Sequence, residues 1–279
     1  MTDRADHHHD DDDTGHVHDR GLSHDLPKLL SRRRLLGVFG GAGALALAGC
    51  GVASSSSPSA TPSTSAAAGS TGTEEIPEET AGPYPGDGSN GVNVLTASGI
   101  VRSDITSSFG GASGVAEGVP LTIELTVLDT GDGARPLAGA AVYLWHCDMD
   151  GRYSLYDDSI KAENYLRGVQ ETDDAGVVTF TSIYPAAYSG RWPHIHFEVY
   201  PSLDAATSAT GKLRTSQLAL PEDTNNLVYA TAGYQASLRN MQGSSLATDN
   251  AFSDGWSLQL AEITGDVDSG FTATLNVPV

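Results

Sequence analysis

From residue 92 to residue 279 the sequence consists mainly of short stretches in which apolar and polar residues alternate. This is the period of a β-strand with one buried face, and residues 121–127 (Leu-Thr-Ile-Glu-Leu-Thr-Val) are the clearest example. Turn sequences rich in Gly and Asp, such as those at 129–133 and 173–176, separate several of these stretches. The pattern predicts an all-β fold, a β-sandwich of mostly antiparallel strands with long loops and one short helix at 231–241. The other predicted strands are 141–145, 177–183, 194–200, 213–220, 257–263 and 272–277.

The first 49 residues have the composition of an export signal rather than that of a folded domain. A polar lead rich in His and Asp precedes Ser31-Arg32-Arg33, and an apolar run follows at 38–48. That run is shorter than the about 20 residues that a membrane-spanning helix needs. The Ser-Arg-Arg start resembles a twin-arginine export signal. The segment therefore predicts export as a signal peptide, and export favours a substrate that is met outside the cytoplasm.

The export signal is predicted to end at a cysteine that carries lipid. The sequence Leu47-Ala48-Gly49-Cys50 resembles a bacterial lipobox, in which Cys50 becomes the lipidated first residue after cleavage. Residues 51–73 are almost entirely Ser, Thr, Ala, Gly and Pro, so they cannot build a core and are interpreted as a flexible tether. The predicted organisation is a signal at 1–49, a lipidated tether at 50–73 and a folded domain at 74–279. The domain would lie on the extracellular side of the cell membrane, anchored through Cys50.

Charge and cysteine content argue against two classes of protein. The formal charge is −20, from 15 Lys+Arg and 35 Asp+Glu, whereas recognition of nucleic-acid phosphates needs a basic surface. The two cysteines, Cys50 and Cys147, are too few for a disulfide scaffold. We interpret Cys147 as a small buried strand residue. The sequence indicates no oligomeric state.

Four side chains in the predicted domain could bind a metal ion. His194 and His196 are two residues apart in a predicted strand, so their imidazoles point to the same face. An HxH pair alone is equally compatible with two unrelated histidines. Tyr153 and Tyr188 follow turn or loop sequences and, taken singly, would be packing residues; as phenolates they are hard anionic donors that suit iron(III). His146, preceded by Trp145 on a strand, is interpreted as a structural residue.

The full set of motifs resembles the intradiol ring-cleavage dioxygenase family, which includes the catechol 1,2- and protocatechuate 3,4-dioxygenases. The resemblance covers roughly residues 75–220, and no motif is recognised in 221–279. The matching segments are 79–84 (ETAGPY), 101–105 (VRSDI), 145–148 (WHCD), 151–154 (GRYS), 183–185 (IYP), 191–197 (RWPHIHF) and 214–218 (RTSQL).

This resemblance implies a non-haem Fe(III) enzyme. Such an enzyme opens a catechol-type ring between the two hydroxyl-bearing carbons and incorporates both atoms of O2, so its partners are a small aromatic diol and dioxygen. The implied iron ligands are Tyr153, Tyr188, His194 and His196. Tyr188 is also the implied catalytic ligand that leaves the metal and accepts a catechol proton when the diol binds.

The resemblance also implies residues that contact the substrate or support those that do. Arg191 would lie beside the substrate ring and stabilise negative charge that develops on carbon, since a guanidinium stays protonated. Gln217 would act nearby as a polar supporting group. The implied pocket-lining residues are Gly82, Pro83 and Tyr84.

Two other interpretations stay open on the sequence. A non-catalytic exported β-sandwich module that binds aromatics or polysaccharide would have the same fold, because a fold does not fix function. That module would not require the four side chains to converge. A copper or zinc protein could use the HxH pair, although zinc sites usually consist of Cys, His and carboxylates. A cupin is disfavoured because no glutamate follows the HxH pair at the spacing of that fold. The sequence does not show which catechol would be the substrate.

Overall fold

The structure is a computed structural model that describes residues 74–279. The predicted export signal, Cys50 and the rest of the tether at 50–73 lie outside the described residues. Within residues 74–279 no helix is both long enough and apolar enough to cross a membrane.

The described chain forms two β-sheets that share one apolar core, which confirms the predicted all-β sandwich. Two short α-helices lie in the connection between late strands, and two 3₁₀ turns lie at Thr130–Asp132 and Leu203–Ala205. The strands are β1 Pro120–Asp129, β2 Arg135–Pro136, β3 Ala141–Trp145, β4 Arg167–Glu171, β5 Val177–Ile183, β6 His194–Tyr200, β7 Arg214–Ala219, β8 Glu262–Asp266 and β9 Gly270–Pro278. The helices are α1 Glu222–Tyr229 and α2 Gln235–Met241.

The first sheet is built around β1, whose buried side chains alternate as the sequence predicts. Leu121, Ile123, Leu125 and Val127 are buried in the core, and the residues between them are partly exposed. β1 pairs antiparallel with β2 and β5 and parallel with β9, and β9 pairs antiparallel with β8. Because β1 and β9 lie side by side, the whole second sheet belongs to the connection between them.

The second sheet has the strand order β4-β3-β6-β7 and is antiparallel throughout. Its central strands β3 and β6 are buried on both faces. One face, which carries Leu144 and its partner Phe197, packs into the core shared with the first sheet. The opposite face carries Trp145 and its partner His196 and is covered by loops and by the segment that precedes β1. Polar side chains on this second face are therefore enclosed by protein.

Two strand predictions need correction. β4 was not predicted because it begins with Arg167 and Gly168, residue types that seldom mark a buried strand. The predicted strand at 257–263 is wrong over residues 257–261, since β8 begins only at Glu262. Residues 257–259 form a turn, and the carbonyl of Gln259 accepts a hydrogen bond from the backbone N–H of Ala219 at 2.8 Å. This segment crosses from the second sheet to the first instead of extending β8.

The helix predicted at 231–241 is present only in its second part, as α2, and α1 was missed. Gly233 has a φ of +95°, in the left-handed region, so a helix cannot run through it. α1 begins directly after Pro221, with Glu222 and Asp223 in its first turn. Acidic residues are favourable at that end of a helix because of the helix dipole. The connection between β7 and β8 therefore folds as two short helices joined by a glycine turn.

Candidate metal centre

The two histidines of β6 direct their imidazoles to the same point, as the strand period predicts. His194 Nε2 is 3.1 Å from His196 Nε2. The other ring nitrogen of His194, Nδ1, is 2.5 Å from the carbonyl oxygen of Trp192. Because a carbonyl only accepts hydrogen bonds, Nδ1 carries the proton and Nε2 presents a lone pair. The His196 ring lies flat on the indole of Trp145, with centroids 4.9 Å apart and planes 3° from parallel, so stacking fixes the second imidazole.

The two tyrosines come from loops and reach the same point. Tyr188 Oη is 3.1 Å from His194 Nε2, and Tyr153 Oη is 3.4 Å from Tyr188 Oη. Tyr153 follows a turn at Gly151, which has a left-handed φ of +85°. A Cβ at Gly151 would lie 3.3 Å from Tyr188 Cβ, so glycine allows the two loops to approach each other. The structure thus brings together all four side chains that the sequence selected.

Burial controls the protonation of these side chains. Tyr153, His194 and His196 are each at most 2% exposed, whereas Tyr188 is half-buried. Burial, helped by the positive charge of Arg191, lowers the pKa of His194 well below its ordinary value, and burial with the neighbouring His194 does the same to the pKa of His196. Both imidazoles are therefore neutral at neutral pH, as metal binding requires. Burial raises the pKa of both phenols, which keep their protons unless a cation replaces them.

Three separations that link the four donor atoms fit ligation of a single metal ion. When metal–ligand bonds are about 2.0–2.1 Å long and the ligand–metal–ligand angle lies between a right angle and the tetrahedral angle, neighbouring donor atoms are about 2.9–3.4 Å apart. The separations of 3.1, 3.1 and 3.4 Å fall in this range. Among residues 74–279, no three His, Cys, Asp or Glu side chains are grouped so that they could hold a metal, so a metal centre here needs the phenols. Two phenols with two imidazoles form a donor set that suits iron(III).

Arg191 and Gln217 lie directly beside the four donors. Arg191 Nη1 is 3.4 Å from His194 Nε2, and Arg191 Nη2 donates to Gln217 Oε1 at 2.6 Å. Gln217 lies on β7 opposite His196 on β6, and its Nε2 donates to the carbonyl of Thr80 at 2.8 Å. The arrangement provides a buried, permanent positive charge next to the cluster of donors.

Comparisons with known proteins identify chains and structures that are similar to this one. The family model described as "Dioxygenase" matches residues 102–224, a range that contains the four donors, Arg191 and Gln217. The solved structure of an intradiol ring-cleavage dioxygenase from Tetranychus urticae has a TM-score of 0.58 and 25% identity, and the match covers 74% of this chain and 94% of that chain. Catechol 1,2-dioxygenase 1 of Acinetobacter lwoffii is 37% identical over 110 residues, and catechol 1,2-dioxygenase of Candida albicans is 34% identical over 80 residues. Residues 102–224 of the chain therefore belong to the intradiol ring-cleavage dioxygenase family.

The curated relatives match this intradiol dioxygenase family member over only part of their length. The match covers 33% of this chain and 34% of the Acinetobacter protein, and 28% of this chain and 26% of the Candida protein. The chain therefore spans about a third or less of the curated relatives that it matches.

The segment 82–84 of this family member borders the donor cluster. Gly82 has a φ of +70°, and a Cβ there would lie 3.4 Å from His196 Cε1. The ring centroid of Tyr84 is 5.0 Å from that of Tyr153. Pro83 connects the two, and its carbonyl accepts a hydrogen bond from Asn90 Nδ2 at 2.7 Å. Gly82 and Tyr84 thus lie where the wall of a substrate pocket is expected.

Two buried charged residues that contact the site residues were missed from the sequence. Asp249 forms a buried ion pair with Arg191, with Oδ2 2.9 Å from Nε. The buried Arg167 donates to the carbonyls of Tyr84 and Ser154 at 3.0 and 2.9 Å, and so ties the pocket segment to the loop that carries Tyr153. No motif marks either residue, because each acts through a tertiary contact between distant parts of the chain.

His146 is not part of the donor cluster. Its Nε2 lies 2.7 Å from Ser182 Oγ, and its Nδ1 lies 2.8 Å from the carbonyl of Cys147. Burial lowers the pKa of His146 to about 4, so it is neutral. Cys147 is buried, and its thiol contacts the carbonyl of Ala186 at 3.6 Å. His146 and Cys147 are therefore buried structural residues, as predicted, but neither lies on a strand, because β3 ends at Trp145.

Proposed function

We propose that this chain is a non-haem Fe(III) intradiol dioxygenase that opens catechol-type rings between the two hydroxylated carbons and incorporates both atoms of O2. The observation that carries the proposal is the convergence of two phenol oxygens and two imidazole nitrogens at separations of 3.1–3.4 Å. Membership of the intradiol family supports it. A module that only binds aromatics has no need of this convergence.

The proposed iron ligands are Tyr153, Tyr188, His194 and His196. Two phenolates and two neutral imidazoles would cancel two of the three positive charges of iron(III). The bound metal supplies Lewis-acid activation of the diol and of its reaction with dioxygen. The side chains leave one net positive charge in a buried site, which favours binding of an ionised diol.

Tyr188 is the ligand proposed to leave when the diol binds. It is half-buried and lies on a loop, whereas Tyr153 is 1% exposed, so Tyr188 can swing away with less loss of packing. Its Oη can then accept a proton from one catechol hydroxyl. Burial raises the pKa of Tyr188, so the phenol holds that proton firmly once it has it.

Arg191 is the residue proposed to stabilise negative charge on the ring. Nη2 is engaged by Gln217, whereas Nη1 faces the donor cluster at 3.4 Å from His194 Nε2. A fixed cation in a buried site stabilises developing negative charge without reorganisation at the moment of reaction. Gln217 is proposed to hold the guanidinium in place, and Gly82, Pro83 and Tyr84 are proposed to line the pocket and exclude water.

Product analysis with labelled dioxygen tests the activity. The iron-loaded chain should convert catechol into an open-chain diacid of the cis,cis-muconate type that carries both labelled oxygen atoms. Tyr153→Phe should abolish this conversion. Tyr200→Phe is the matched control, because it removes a phenol hydroxyl from the opposite end of β6, where Tyr200 bonds Glu198 and Ser208. Ring opening beside the diol instead of within it would contradict the proposal.

Other outcomes would support other functions. Binding of catechol without oxygen uptake by the iron-loaded chain would favour the non-catalytic binding module. Stoichiometric binding of copper or zinc in place of iron would favour a metal protein based on His194 and His196 alone.

We also propose that the chain is exported and anchored to the cell membrane by lipid on Cys50. Support comes from the sequence, in which a twin-arginine-like start, a short apolar run and a lipobox-like ending follow one another at 31–50. Cys50→Ser should move the protein from the membrane fraction to the soluble fraction outside the cytoplasm. Retention of this variant in the membrane would refute the lipid anchor.

A further inference from the structure

We propose that Asp249 is a positioning residue for the intradiol reaction, because its carboxylate holds the guanidinium of Arg191 with one edge turned to the donor cluster. This inference rests on the proposed function and deepens it. Asp249 lies in the loop between α2 and β8, outside the range 102–224 that the family model matches. The C-terminal part of the chain, in which no motif was recognised, would thus contribute to the active site.

The carboxylate of Asp249 is fully enclosed and accepts four N–H groups. Arg191 Nε donates to Oδ2 at 2.9 Å, and Arg191 Nη2 lies 3.3 Å from Oδ1. The backbone N–H of Trp192 donates to Oδ2 at 2.7 Å, and that of Ala251 donates to Oδ1 at 2.9 Å. The side-chain exposures of Arg191 and Asp249 are 4% and 0%. Because a carboxylate offers about four acceptor positions, this one is saturated.

These contacts leave one edge of the guanidinium available. Nε is used by Asp249, and Nη2 is shared between Asp249 and Gln217. Nη1 lies 3.4 Å from His194 Nε2 and, within residues 74–279, donates to no oxygen. Because the guanidinium is planar and rigid, the contacts that hold Nε and Nη2 also fix the direction in which Nη1 points. Asp249 therefore determines where the positive charge of Arg191 points.

The negative charge of Asp249 matters as well as its shape. Arg191 is a buried cation beside a site proposed to hold a second cation, the ferric ion. A buried charge is stable only when it is paired and hydrogen-bonded, and Gln217 is neutral. Asp249 supplies the compensating charge on the side of Arg191 that faces away from the donor cluster. Asn at this position would remove the charge and would also set an amide N–H against the donors of Arg191 or Trp192.

The test compares Asp249→Asn with Asp268→Asn in the full iron-loaded protein. Asp268 lies in the turn between β8 and β9 and is exposed, so its substitution makes the same charge change outside the loop that holds Arg191. For Asp249→Asn we expect kcat with catechol to fall about 10- to 100-fold, the usual effect of losing a group that supports an active-site residue. Iron content, the tyrosinate-to-iron absorption band and KM should change little, because the ligands and ground-state binding are intact. Asp268→Asn should keep the activity of the wild type.

Arg191→Gln provides a second, independent measurement. If Asp249 acts through Arg191, adding Asp249→Asn to Arg191→Gln should cause no further fall in kcat. Losses that multiply in the double variant would overturn the inference, as would wild-type kcat in Asp249→Asn. Loss of iron and of the absorption band in Asp249→Asn would also overturn it, because Asp249 would then support the ligands. A wild-type protein that binds iron with the expected colour but does not open catechol would refute the proposed function itself, a result that no Asp249 variant can produce.

Discussion

Binding of ferric iron should release one proton from each of Tyr153 and Tyr188 and none from His194 or His196. The ordinary pKa of the phenols is 10.0, and burial raises it in both, so both are protonated at neutral pH. Burial lowers the pKa of both imidazoles well below the ordinary 6.5, so they are already neutral. The metal must therefore displace two phenol protons and no imidazole proton.

The structure sets a lower limit on the free energy that this displacement requires. Removing a proton at pH 7 from a group with a pKa of about 10 costs about 4 kcal/mol. The two phenols together therefore cost at least about 8 kcal/mol, which the metal–ligand bonds must supply. Each proton released makes the apparent affinity rise about tenfold per pH unit, so the pair should give about a 100-fold rise per pH unit near neutrality.

Calorimetry in two buffers with different protonation enthalpies measures the number of protons released. The iron would be added as a ferric chelate, and the protons taken up by the chelator would be subtracted. Comparison of the wild type with Tyr153→Phe isolates the phenol from any proton lost by iron-bound water, and the expected difference is one proton per iron. Tyr200→Phe should release the same number of protons as the wild type.

Equal proton release from the wild type and Tyr153→Phe would refute phenolate ligation by Tyr153. Additional protons lost on metal binding in the wild type, but absent when His194 or His196 is replaced, would show that the imidazoles are charged before the metal binds. That result would contradict the electrostatic account of the buried site.

Three further substitutions test the surroundings of the site. Burial, followed by the nearby Asp254, raises the pKa of Glu79 from 4.5 to about 8, so the folded chain keeps a proton that the unfolded chain loses. This contribution to stability is complete below pH 4.5 and is lost as the pH rises through 8. In urea unfolding at several pH values, the free energy of unfolding should therefore fall more steeply with pH for the wild type than for Glu79→Gln. Equal slopes would count against the raised pKa of Glu79. Gly151→Ala should lower the free energy of unfolding by about 1–2 kcal/mol, measured by thermal unfolding, because Gly151 has a left-handed φ. The variant should also bind less iron, because the new Cβ crowds Tyr188. An iron content equal to that of the wild type would contradict this second expectation. Arg167→Lys should lower the free energy of unfolding, measured with denaturant, by about 2–4 kcal/mol. The ammonium group of lysine has at most three N–H donors, whereas the guanidinium of Arg167 makes five hydrogen bonds. Stability equal to that of the wild type would contradict this.

Local sequence patterns predicted the parts of the fold that depend on local physics. The two-residue period is sufficient to place alternate side chains of β1 in the core, and it also places His194 and His196 on one face of β6. Tyr153 and Tyr188 were selected by the resemblance to a family and not by any period, since loops have none. The structure brings both phenols to the histidines, through loops whose approach depends on Gly151.

The missed features depend on contacts between distant parts of the chain. Asp249 is 58 residues from Arg191 in sequence, and nothing in its loop distinguishes it from other acidic residues. β4 was missed because Arg167 is a poor core residue by composition, yet five hydrogen bonds to neutral oxygens allow its burial. The contacts that stabilise these two residues form only in the tertiary structure, and a single sequence does not show them.

The visible absorption spectrum of the iron-loaded chain, before and after anaerobic addition of catechol, tests most directly whether Tyr153, Tyr188, His194 and His196 bind one ferric ion. Tyrosinate bound to iron(III) colours a protein red-brown through a charge-transfer band. We expect this band in the wild type and in Tyr200→Phe, a shift of the band when catechol binds, and its loss or displacement in Tyr153→Phe. A chain that binds iron stoichiometrically but stays colourless, or a band that Tyr153→Phe leaves unchanged, would contradict the proposed metal centre.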